Sequence, residues 1–237
     1  MDATSLRRGG NDLLAILPEA TLNRMAPHCS RVSLRMGDVI SEADRPITSA
    51  VFVENGVASL FKVGGPPDTE VALVGHEGFC GIPIVLGGES WPYQVIVQAD
   101  HLTGVEIAAA TLQHLMADDA VLRRILLGAV QVRLVQASES LISNARQRLN
   151  QRLARWLLMY RDRMRSDQLP VTHKDMAAMV GVQRTGVTAA LHEMEGHGMI
   201  SSRRGLVTIL DVPALLALAA SGYGAPEEQQ ARLLDKG

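Results

Sequence analysis

Cysteine, long apolar runs and an N-terminal leader are all scarce or missing in this 237-residue chain. The two cysteines, Cys29 and Cys80, are too few for a disulfide framework or for an all-cysteine cluster within one chain. The N-terminal stretch MDATSLRRGGNDLL has no apolar core like that of a signal peptide, and no apolar run reaches the roughly 20 residues that span a bilayer. These absences predict a cytoplasmic protein that does not enter a membrane.

Catalytic and metal-binding motifs are missing as well. Serine, histidine and aspartate occur, but without a Gly-x-Ser-x-Gly or comparable nucleophile context. His76, Glu77 and Cys80 could ligate a metal together with His28 and Cys29, yet no Cys-x-x-Cys or His-x₃-His pair anchors such a site, so we interpret them as turn and core residues. Cys80 is also a candidate redox-sensitive thiol. The sequence therefore predicts no enzyme, no metal site and no cofactor.

Charge is distributed unevenly along the chain. Residues 1–144 carry 10 Lys/Arg and 16 Asp/Glu, a net charge of −6, whereas residues 145–210 carry 11 Lys/Arg and five Asp/Glu, a net charge of +6. The last residues, 211–237, contribute −2. A basic module on an acidic body suggests a polyanionic partner for that module, although an arginine-rich helix exposed to solvent would give the same count.

The first half of the chain has the pattern of a β domain. Residues 11–27 suggest one or two short helices, capped by Asn11 or Asp12 and opened by Pro18. From Cys29 to about Ile107, short runs such as SAVFVE, VASLFKV, EVALV and YQVIVQ alternate with the turn signals RMGD, ENG, GGPPD, GHEG, GGES and QAD. That spacing predicts an antiparallel all-β sandwich or barrel.

The second half is predicted to be helical. A long helix begins at about Asp118, and its stripe of apolar, small and later polar residues has two interpretations: it packs on its own sheet, or it pairs with the same helix of a second chain. We favour dimerisation through this stripe, which consists of Leu122, Ile125, Ala129, Val132, Gln136, Glu139 and Ser143. A second amphipathic helix follows at 146–165, and the polar residues 222–237 are expected to form a flexible tail.

The strongest functional signal lies between Thr172 and Ile209. The segment Thr172-His-Lys-Asp175 is a capping box that opens a helix, and Gly181 tolerates the positive φ of a helix end. A second helix is predicted from about Gln183 to Glu195, burying Val187, Leu191 and Met194, before a hairpin at 200–210 with Arg203-Arg204-Gly205 at its tip. This order of helix, tight turn, helix and β wing is typical of a DNA-binding module.

The physics of DNA recognition assigns roles within this module. A helix fits the major groove, and its first turns reach the base edges, which selects Gln183, Arg184, Thr185 and Thr188. Arginines at a wing tip suit phosphate contacts, which selects Arg203 and Arg204. The structural alternative is a helical hairpin that contacts another protein.

The sequence resembles the cyclic-AMP receptor protein/Fnr family along nearly its whole length, most closely in RLARWLL and THKDMAAMVGVQRTGVTAALHEMEGHGMI. The resemblance implies an α+β chain: a β-roll sensor domain with N-terminal helices (1–117), a dimerisation helix (118–144), a winged helix-turn-helix (145–221) and the tail (222–237). Members commonly carry Arg where Arg184 stands; Thr185 replaces their usual Glu, and Ala189 replaces a later contact Arg. The implied partners are an inverted-repeat DNA operator, a second copy of the chain and RNA polymerase.

The sensory half departs from the family pattern. Nucleotide-binding members hold the ribose with Glu and the phosphate with Arg in a Phe-x-Gly-Glu…Arg-Ser-Ala cassette, and their oxygen-sensing relatives carry an N-terminal cysteine cluster that is absent from this sequence. Here Ile82 replaces the Glu, and Tyr93-Gln94 replace Arg-Ser, so a phosphate would lack its charge-assisted partner and cyclic AMP is not expected to bind. Phe79, Ile82, Trp91, Tyr93 and Gln94 line a candidate apolar effector pocket, or simply fill the core.

Two classes of function follow. In the first, the chain is a dimeric transcription regulator that senses an unknown effector or none, through two arrangements of its DNA-binding domains. In the second, it is a protein-interaction module with a vestigial winged helix; Arg184 and the basic wing favour the first.

Overall fold

The computed structural model describes residues 1–62, 64 and 69–235. Most of the predicted GGPPD turn and the end of the VASLFKV run lie outside the described residues. Three short helices open the chain: α1 (Ala3–Arg8), α2 (Asp12–Ala15) and α3 (Glu19–Met25). The Asn11 side chain caps α2 by accepting from the backbone N–H groups of Leu13 and Leu14, both at 3.1 Å, and Pro18 precedes α3, as predicted. Helix α1 was not predicted from the sequence.

The β domain follows a short 3-10 helix at Ala26–His28. Its strands are β1 (Cys29–Arg35), β2 (Val39–Ser41), β3 (Ser49–Asn55), β4 (Ala58–Lys62), β5 (Thr69–Val74), β6 (Phe79–Cys80), β7 (Gln94–Val97) and β8 (His101–Ala108). They form two four-stranded sheets with antiparallel pairing, in the orders β1-β8-β3-β6 and β2-β7-β4-β5.

Apolar side chains fill the space between these two sheets. They come from alternating positions of facing strands, because successive side chains of a strand point to opposite faces. The buried members are Val51, Val53, Ala58, Leu60, Val74, Cys80, Val95, Val97 and Leu102. The predicted antiparallel β domain is therefore confirmed.

Three helices follow the β domain or interrupt it: α4 (Ile82–Val85), α5 (Ala109–Asp118) and the long α6 (Ala120–Arg146). Asp119 begins α6 by accepting from the backbone N–H groups of Val121 and Leu122, both at 3.0 Å. One side of α6 packs against the N-terminal helices and the outer face of the β domain, burying Leu122, Ile125, Leu126 and Val130.

The stripe predicted as a dimer seam is this inward side of α6. Leu122 is 0% exposed and Ile125 is 2% exposed, and the polar continuation of the stripe at Gln136 and Ser143 is also buried within the chain. The prediction that Ile125 lies in an intermolecular seam is therefore wrong, and the alternative, packing on its own domain, holds for this stripe. The large apolar side chains left exposed on α6 are Leu127, Leu134, Leu141 and Ile142.

Helix α6 is also, by length and composition, apolar enough to cross a membrane, with a mean hydropathy of 1.3 in its most apolar window. This property was not expected, because no uninterrupted apolar run of the sequence reaches the roughly 20 residues that span a bilayer. The exposed leucines contribute to the mean hydropathy of α6, and the opposite side of the helix packs against the β domain. We interpret α6 as a domain helix with one uncovered apolar side.

The C-terminal domain begins with α7 (Leu149–Met164) and continues with β9 (Gln168–Leu169), α8 (His173–Val180), α9 (Arg184–Gly196), β10 (Ile200–Arg203), β11 (Leu206–Ile209) and α10 (Val212–Ala219). Strands β10, β11 and β9 form a small antiparallel sheet. Buried side chains of α7, α8, α9 and this sheet share one core, which Val57, Leu73 and Ala99 of the β domain extend. The two domains are thus in apolar contact.

A polar contact reinforces this junction. Glu70 on β5 accepts from Trp156 Nε1 on α7 at 3.0 Å and from the Ser59 hydroxyl at 2.8 Å. Burial, only partly offset by these two hydrogen bonds, raises the pKa of Glu70 to about 7. The carboxyl group therefore changes its charge near neutral pH.

The polar tail contains a helix, contrary to the flexible tail expected from the sequence. Helix α11 (Ala225–Leu234) follows a short 3-10 helix at Ala220–Gly222 and packs along α6. Gln230 Nε2 donates to the carbonyl oxygen of Glu77 at 3.1 Å. A Cβ at Gly128 would lie 2.5 Å from Leu233 Cδ1, so glycine permits the close approach of α11 to α6. Periodicity missed α11 because its first turns are polar.

Candidate nucleic-acid interface

The helix-turn-helix is built as its sequence pattern predicts. Asp175 Oδ2 accepts from the backbone N–H of Thr172 at 3.1 Å, and the Thr172 hydroxyl accepts from the N–H of Asp175 at 3.2 Å, which closes the capping box of α8. Gly181 ends α8 with φ +66°. The buried residues of α9 are Val187, Ala190, Leu191 and Met194, which confirms the predicted inward triad.

The first turn of α9 is presented to solvent. Gln183 stands at its N-cap position and makes no side-chain cap hydrogen bond, and Arg184 and Thr185 follow it; all three are exposed. The helix-turn-helix holds this turn rigidly, because α8 and α7 pack behind it. These three side chains therefore stand where a groove-reading helix would present them.

Thr188 is placed differently from these three residues. It is only partly exposed, and its hydroxyl donates to the carbonyl oxygen of Arg184 at 3.1 Å. The same hydroxyl lies 3.0 Å from His173 Nδ1, while His173 Nε2 lies 3.2 Å from the Ser202 hydroxyl. His173 thus links α8, α9 and the wing, a role that the sequence analysis missed because three distant segments meet there. The Thr188 hydroxyl therefore faces the His173 ring.

The wing is the β10–β11 hairpin, with Arg203 and Arg204 exposed at its tip. Glu195 Oε1 accepts from the backbone N–H of Ser202 at 2.5 Å, which ties the wing to the last turn of α9. The tie fixes the wing arginines relative to the recognition surface. It also engages one oxygen of the Glu195 carboxylate inside the module.

A concave surface, here called the wing groove, separates the recognition helix from the wing. Its residues are Thr172, His173, Lys174, Arg184, His192, Glu195, Ser202, Arg203, Arg204 and Gly205. Four permanently charged cations border it, and three of them, Arg184, Arg203 and Arg204, were predicted. Lys174 is the fourth; it is exposed in the first turn of α8 and was not singled out. The capping-box position is the only sequence signal that could have found it.

The five residues of the predicted effector pocket are only partly brought together: Ile82 and Trp91 pack against the apolar cluster that contains Phe79. Phe79 stacks on Phe52 with ring centroids 5.4 Å apart, and with Ile82 it borders a cavity beside α6. Trp91 and Tyr93 instead form an edge-on pair at 5.7 Å, and Gln94 Nε2 donates to a carboxylate oxygen of Glu42 at 2.8 Å. Phe79 and Ile82 border this cavity, whereas Tyr93 and Gln94 do not line it in the part of the chain that the structure describes.

Both cysteines are buried. Burial raises the pKa of Cys29 to about 11 and that of Cys80 to about 12, so both thiols are protonated at neutral pH. A protonated, buried thiol is a poor nucleophile, which argues against Cys80 as a redox sensor. Within the described ranges, His, Cys, Asp and Glu side chains form no group of three that could hold a metal.

Comparisons with known proteins agree with this geometry. The Crp-like helix-turn-helix domain family matches residues 151–218, while none of the curated proteins matches the chain. A CRP/FNR-family transcriptional regulator from Thermus thermophilus shares 26% sequence identity with a TM-score of 0.67, and the match covers 82% of this chain and 100% of that one.

Two further solved structures share the fold at lower identity. FixK2 from Bradyrhizobium japonicum is 16% identical with a TM-score of 0.68, and the match covers 81% of this chain and 98% of that one. The c-di-GMP-responsive global regulator from Xanthomonas campestris is 19% identical with a TM-score of 0.64, covering 81% and 99%. The chain therefore carries a Crp-like helix-turn-helix domain and has the fold of the Crp/Fnr family of transcriptional regulators.

Proposed function

We propose that the protein is a cytoplasmic, homodimeric regulator that binds an inverted-repeat operator and controls transcription there. The observation that carries the proposal is the wing groove, where Lys174, Arg184, Arg203 and Arg204 surround the exposed first turn of α9. Lys174, Arg203 and Arg204 beside this turn are placed to contact DNA phosphates, while Arg184 within the turn enters the major groove.

The proposed division of labour follows from position. Arg184 and Gln183 read base edges, since Arg pairs bidentately with guanine and Gln with adenine, and Thr185 contacts a neighbouring base. Arg203, Arg204 and Lys174 hold phosphates, which contribute affinity without sequence information. Thr188, predicted as a base contact, acts instead with His173 to position the first turns of α9.

Dimerisation is proposed through the outward side of α6. Leu127, Leu134 and Leu141 recur every seven residues and are 42%, 64% and 71% exposed, respectively. A seven-residue repeat of leucines on one helix is the pattern that pairs with the same stripe of a second helix. We name these three residues the leucine stripe; a two-fold axis beside it would relate the two recognition helices.

A dimer of this kind would bind two half-sites one helical turn apart, about 34 Å between centres. RNA polymerase is the further partner expected of a regulator bound beside a promoter. Cyclic AMP is not expected as the effector, because Ile82 and Tyr93 replace the acidic and basic groups that hold the nucleotide and apolar side chains fill the space between the sheets.

Selection from a pool of random duplexes tests the proposal. We expect enrichment of an inverted repeat whose half-site centres are about 10 base pairs apart. The protein used is the full chain, at an ionic strength near the physiological one, because phosphate contacts alone bind any sequence at low salt. Retention of duplexes without any enriched sequence would contradict the proposal and favour a protein-interaction role.

A further inference from the structure

Two arginines of α7 differ from the other buried charges at the junction of the domains. Arg163 is matched, because its Nε lies 2.9 Å from Glu77 Oε1 in the cavity beside α6, between the two domains. Arg152 and Arg155, by contrast, form no ion pair with any residue that the structure describes. A charge held away from water without a counter-charge is unfavourable, so an anion placed beside these two guanidinium groups would be stabilised.

Arg155 is the more buried of the two. The residue is 7% exposed, and its one hydrogen bond within the described residues runs from Nε to the carbonyl oxygen of Gly222 at 2.7 Å. Glu139 and Glu227 act on Arg155 only at longer range, without forming an ion pair, and burial lowers the pKa of its guanidinium group. The terminal N–H groups of Arg155 are therefore donors that no acceptor among the described residues uses.

Arg152 lies one helical turn before Arg155. Its Nη2 donates to the carbonyl oxygen of Val180 at the end of α8. Its Nε is buried and has no hydrogen-bond partner in the part of the chain that the structure describes, and burial lowers its pKa. Side chains three residues apart on a helix are neighbours, so Arg152 and Arg155 can contact the same ligand.

Both arginines border a groove of about 300 Å³ between the two domains, which we name the arginine groove. The other charged residues that line it are Arg133, which pairs with Glu77 outside the groove, and Glu70. Glu70 accepts hydrogen bonds from Trp156 and Ser59 and pairs with neither arginine of α7. Three guanidinium groups thus line the groove together with one carboxyl group.

We propose that the arginine groove binds a phosphate monoester of a small apolar group, with the phosphate against Arg152 and Arg155. Such a phosphate carries a charge of about −1.5 to −2 at pH 7 and three acceptor oxygens, which matches two unpaired guanidinium groups. A carboxylate would balance only one of them. The apolar group would lie against Trp156, Met159 and Met179, which are buried side chains of the groove wall.

The volume of the groove limits the size of the apolar group. An apolar cavity of about 150 Å³ is enough to hold benzene. A groove of about 300 Å³ therefore has room for one ring together with a phosphate. Phenyl phosphate has this composition and serves as the probe.

The position of the groove connects a ligand to DNA binding. Glu70 belongs to β5 of the β domain, whereas Arg152 and Arg155 belong to α7 and Met179 to α8 of the DNA-binding domain. A bound phosphate monoester would therefore touch both domains and stabilise one of their arrangements over another. This regulatory consequence rests on the function proposed above; the binding site itself does not.

Calorimetry of the full chain with phenyl phosphate, without DNA, at pH 8 and constant ionic strength, tests the site. We expect a Kd of about 1 mM or lower. Phenyl sulfate, which has the same ring and a single negative charge, should bind at least about tenfold more weakly, and inorganic phosphate should bind more weakly than phenyl phosphate because it lacks the ring. Equal binding of phenyl phosphate and phenyl sulfate, or no binding of phenyl phosphate up to about 10 mM, would overturn the proposal. Equal binding of inorganic phosphate would overturn the apolar contacts.

Three variants locate the bound phosphate. Arg155→Met should weaken phenyl phosphate binding about tenfold or more, whereas Arg203→Ala, which removes a cation of the wing groove, should leave it unchanged. The reverse result would place the anion in the wing groove and overturn the proposal. Glu70→Gln should strengthen binding at pH 8, an effect that a folding defect would not produce, because it removes the one carboxylate that lines the groove. Weaker or unchanged binding by Glu70→Gln would overturn the placement.

Titration of the selected operator, with and without saturating phenyl phosphate, tests the regulatory consequence. Operator affinity should change for the wild-type chain and stay unchanged for Arg155→Met, which controls for competition between phenyl phosphate and DNA at the wing groove. Phenyl phosphate binding with unchanged operator affinity would keep the site and overturn its regulatory role. Loss of all sequence-specific DNA binding by the ligand-free protein would instead count against the proposed function.

Discussion

The two halves of the molecule place their charged residues in opposite ways. In the winged helix-turn-helix, the cations of the wing groove are exposed and come from a stretch between Lys174 and Arg204. In the cavity between the domains, the buried Arg163 and the half-buried Arg133 meet Glu77 from a third, distant segment. The first arrangement suits a large polyanion that approaches from outside. The second pairs charges from distant segments within the chain, at the junction of the two domains.

The largest expected effect concerns the leucine stripe, because the proposed dimer of two chains depends on it. Leu134→Glu places a charge in the middle of the proposed helix pair and should give monomers by sedimentation. Operator affinity should fall about 100-fold or more, because the two half-sites no longer bind as one unit. As a control, Asn144→Glu adds the same charge to α6 outside the leucine stripe and should leave the dimer intact. A monomer for Asn144→Glu, or a dimer for Leu134→Glu, would show that the leucine stripe does not form the dimer interface.

The inward side of α6 should respond in a different way. Ile125 is 2% exposed in the core between α6 and the N-terminal helices, so Ile125→Ala should lower the free energy of unfolding by about 2–5 kcal/mol. Sedimentation should still show a dimer, and urea unfolding gives the stability change. A stable monomer would mean that Ile125, and not the leucine stripe, forms the interface.

Within the wing groove, substitution of the base-reading arginine and of a phosphate-binding arginine should have different effects on DNA binding. Arg184→Ala should weaken the selected operator by about 1–3 kcal/mol and change a scrambled duplex much less, because a base contact is lost. Arg203→Ala should weaken both duplexes about equally and reduce the slope of log affinity against log salt by roughly one. Fluorescence anisotropy measures the affinity of each of the two variants for each of the two duplexes. Equal losses on the two duplexes for Arg184→Ala would refute base reading.

The junction between the halves should depend on pH through Glu70. Its pKa in the folded chain, about 7, lies above its ordinary value of 4.5, so the folded state binds more protons between these values. The contribution of this group to stability should therefore be fully present below about pH 4.5 and be lost as pH rises to about 7, by on the order of 1 kcal/mol given its partial exposure. Glu70→Gln should flatten this part of the profile in urea unfolding at several pH values; an unchanged profile would assign the dependence to other groups.

Local patterns predicted the DNA-binding half well. A capping box, a glycine at a helix end and a buried triad act over a few residues, and Thr172, Gly181 and Leu191 take the predicted places. Thr188 was assigned outward because spacing alone does not show that His173, fifteen residues earlier, lies beside its hydroxyl.

Assembled features were predicted less well. Helix α6 has apolar residues on two opposite sides, and periodicity located the stripe containing Ile125 but could not say which side the chain itself covers. The cavity brings together residues from Asp12 to Gln230, so no sequence window contains its pattern. The candidate pocket residues Phe79 and Ile82 border it, whereas Tyr93, which was included because it stands at the family's Arg position, does not.

The return of α11 to α6 gives the DNA-binding domain two attachments to the rest of the molecule. The chain enters the domain from the end of α6 and leaves it through α11, which is anchored at Leu233 against Gly128 and at Gln230 against Glu77. Together with the apolar contact between the domains, these two attachments should oppose rotation of the DNA-binding domain relative to α6. A substitution that loosens either attachment should therefore change the orientation of the recognition helix.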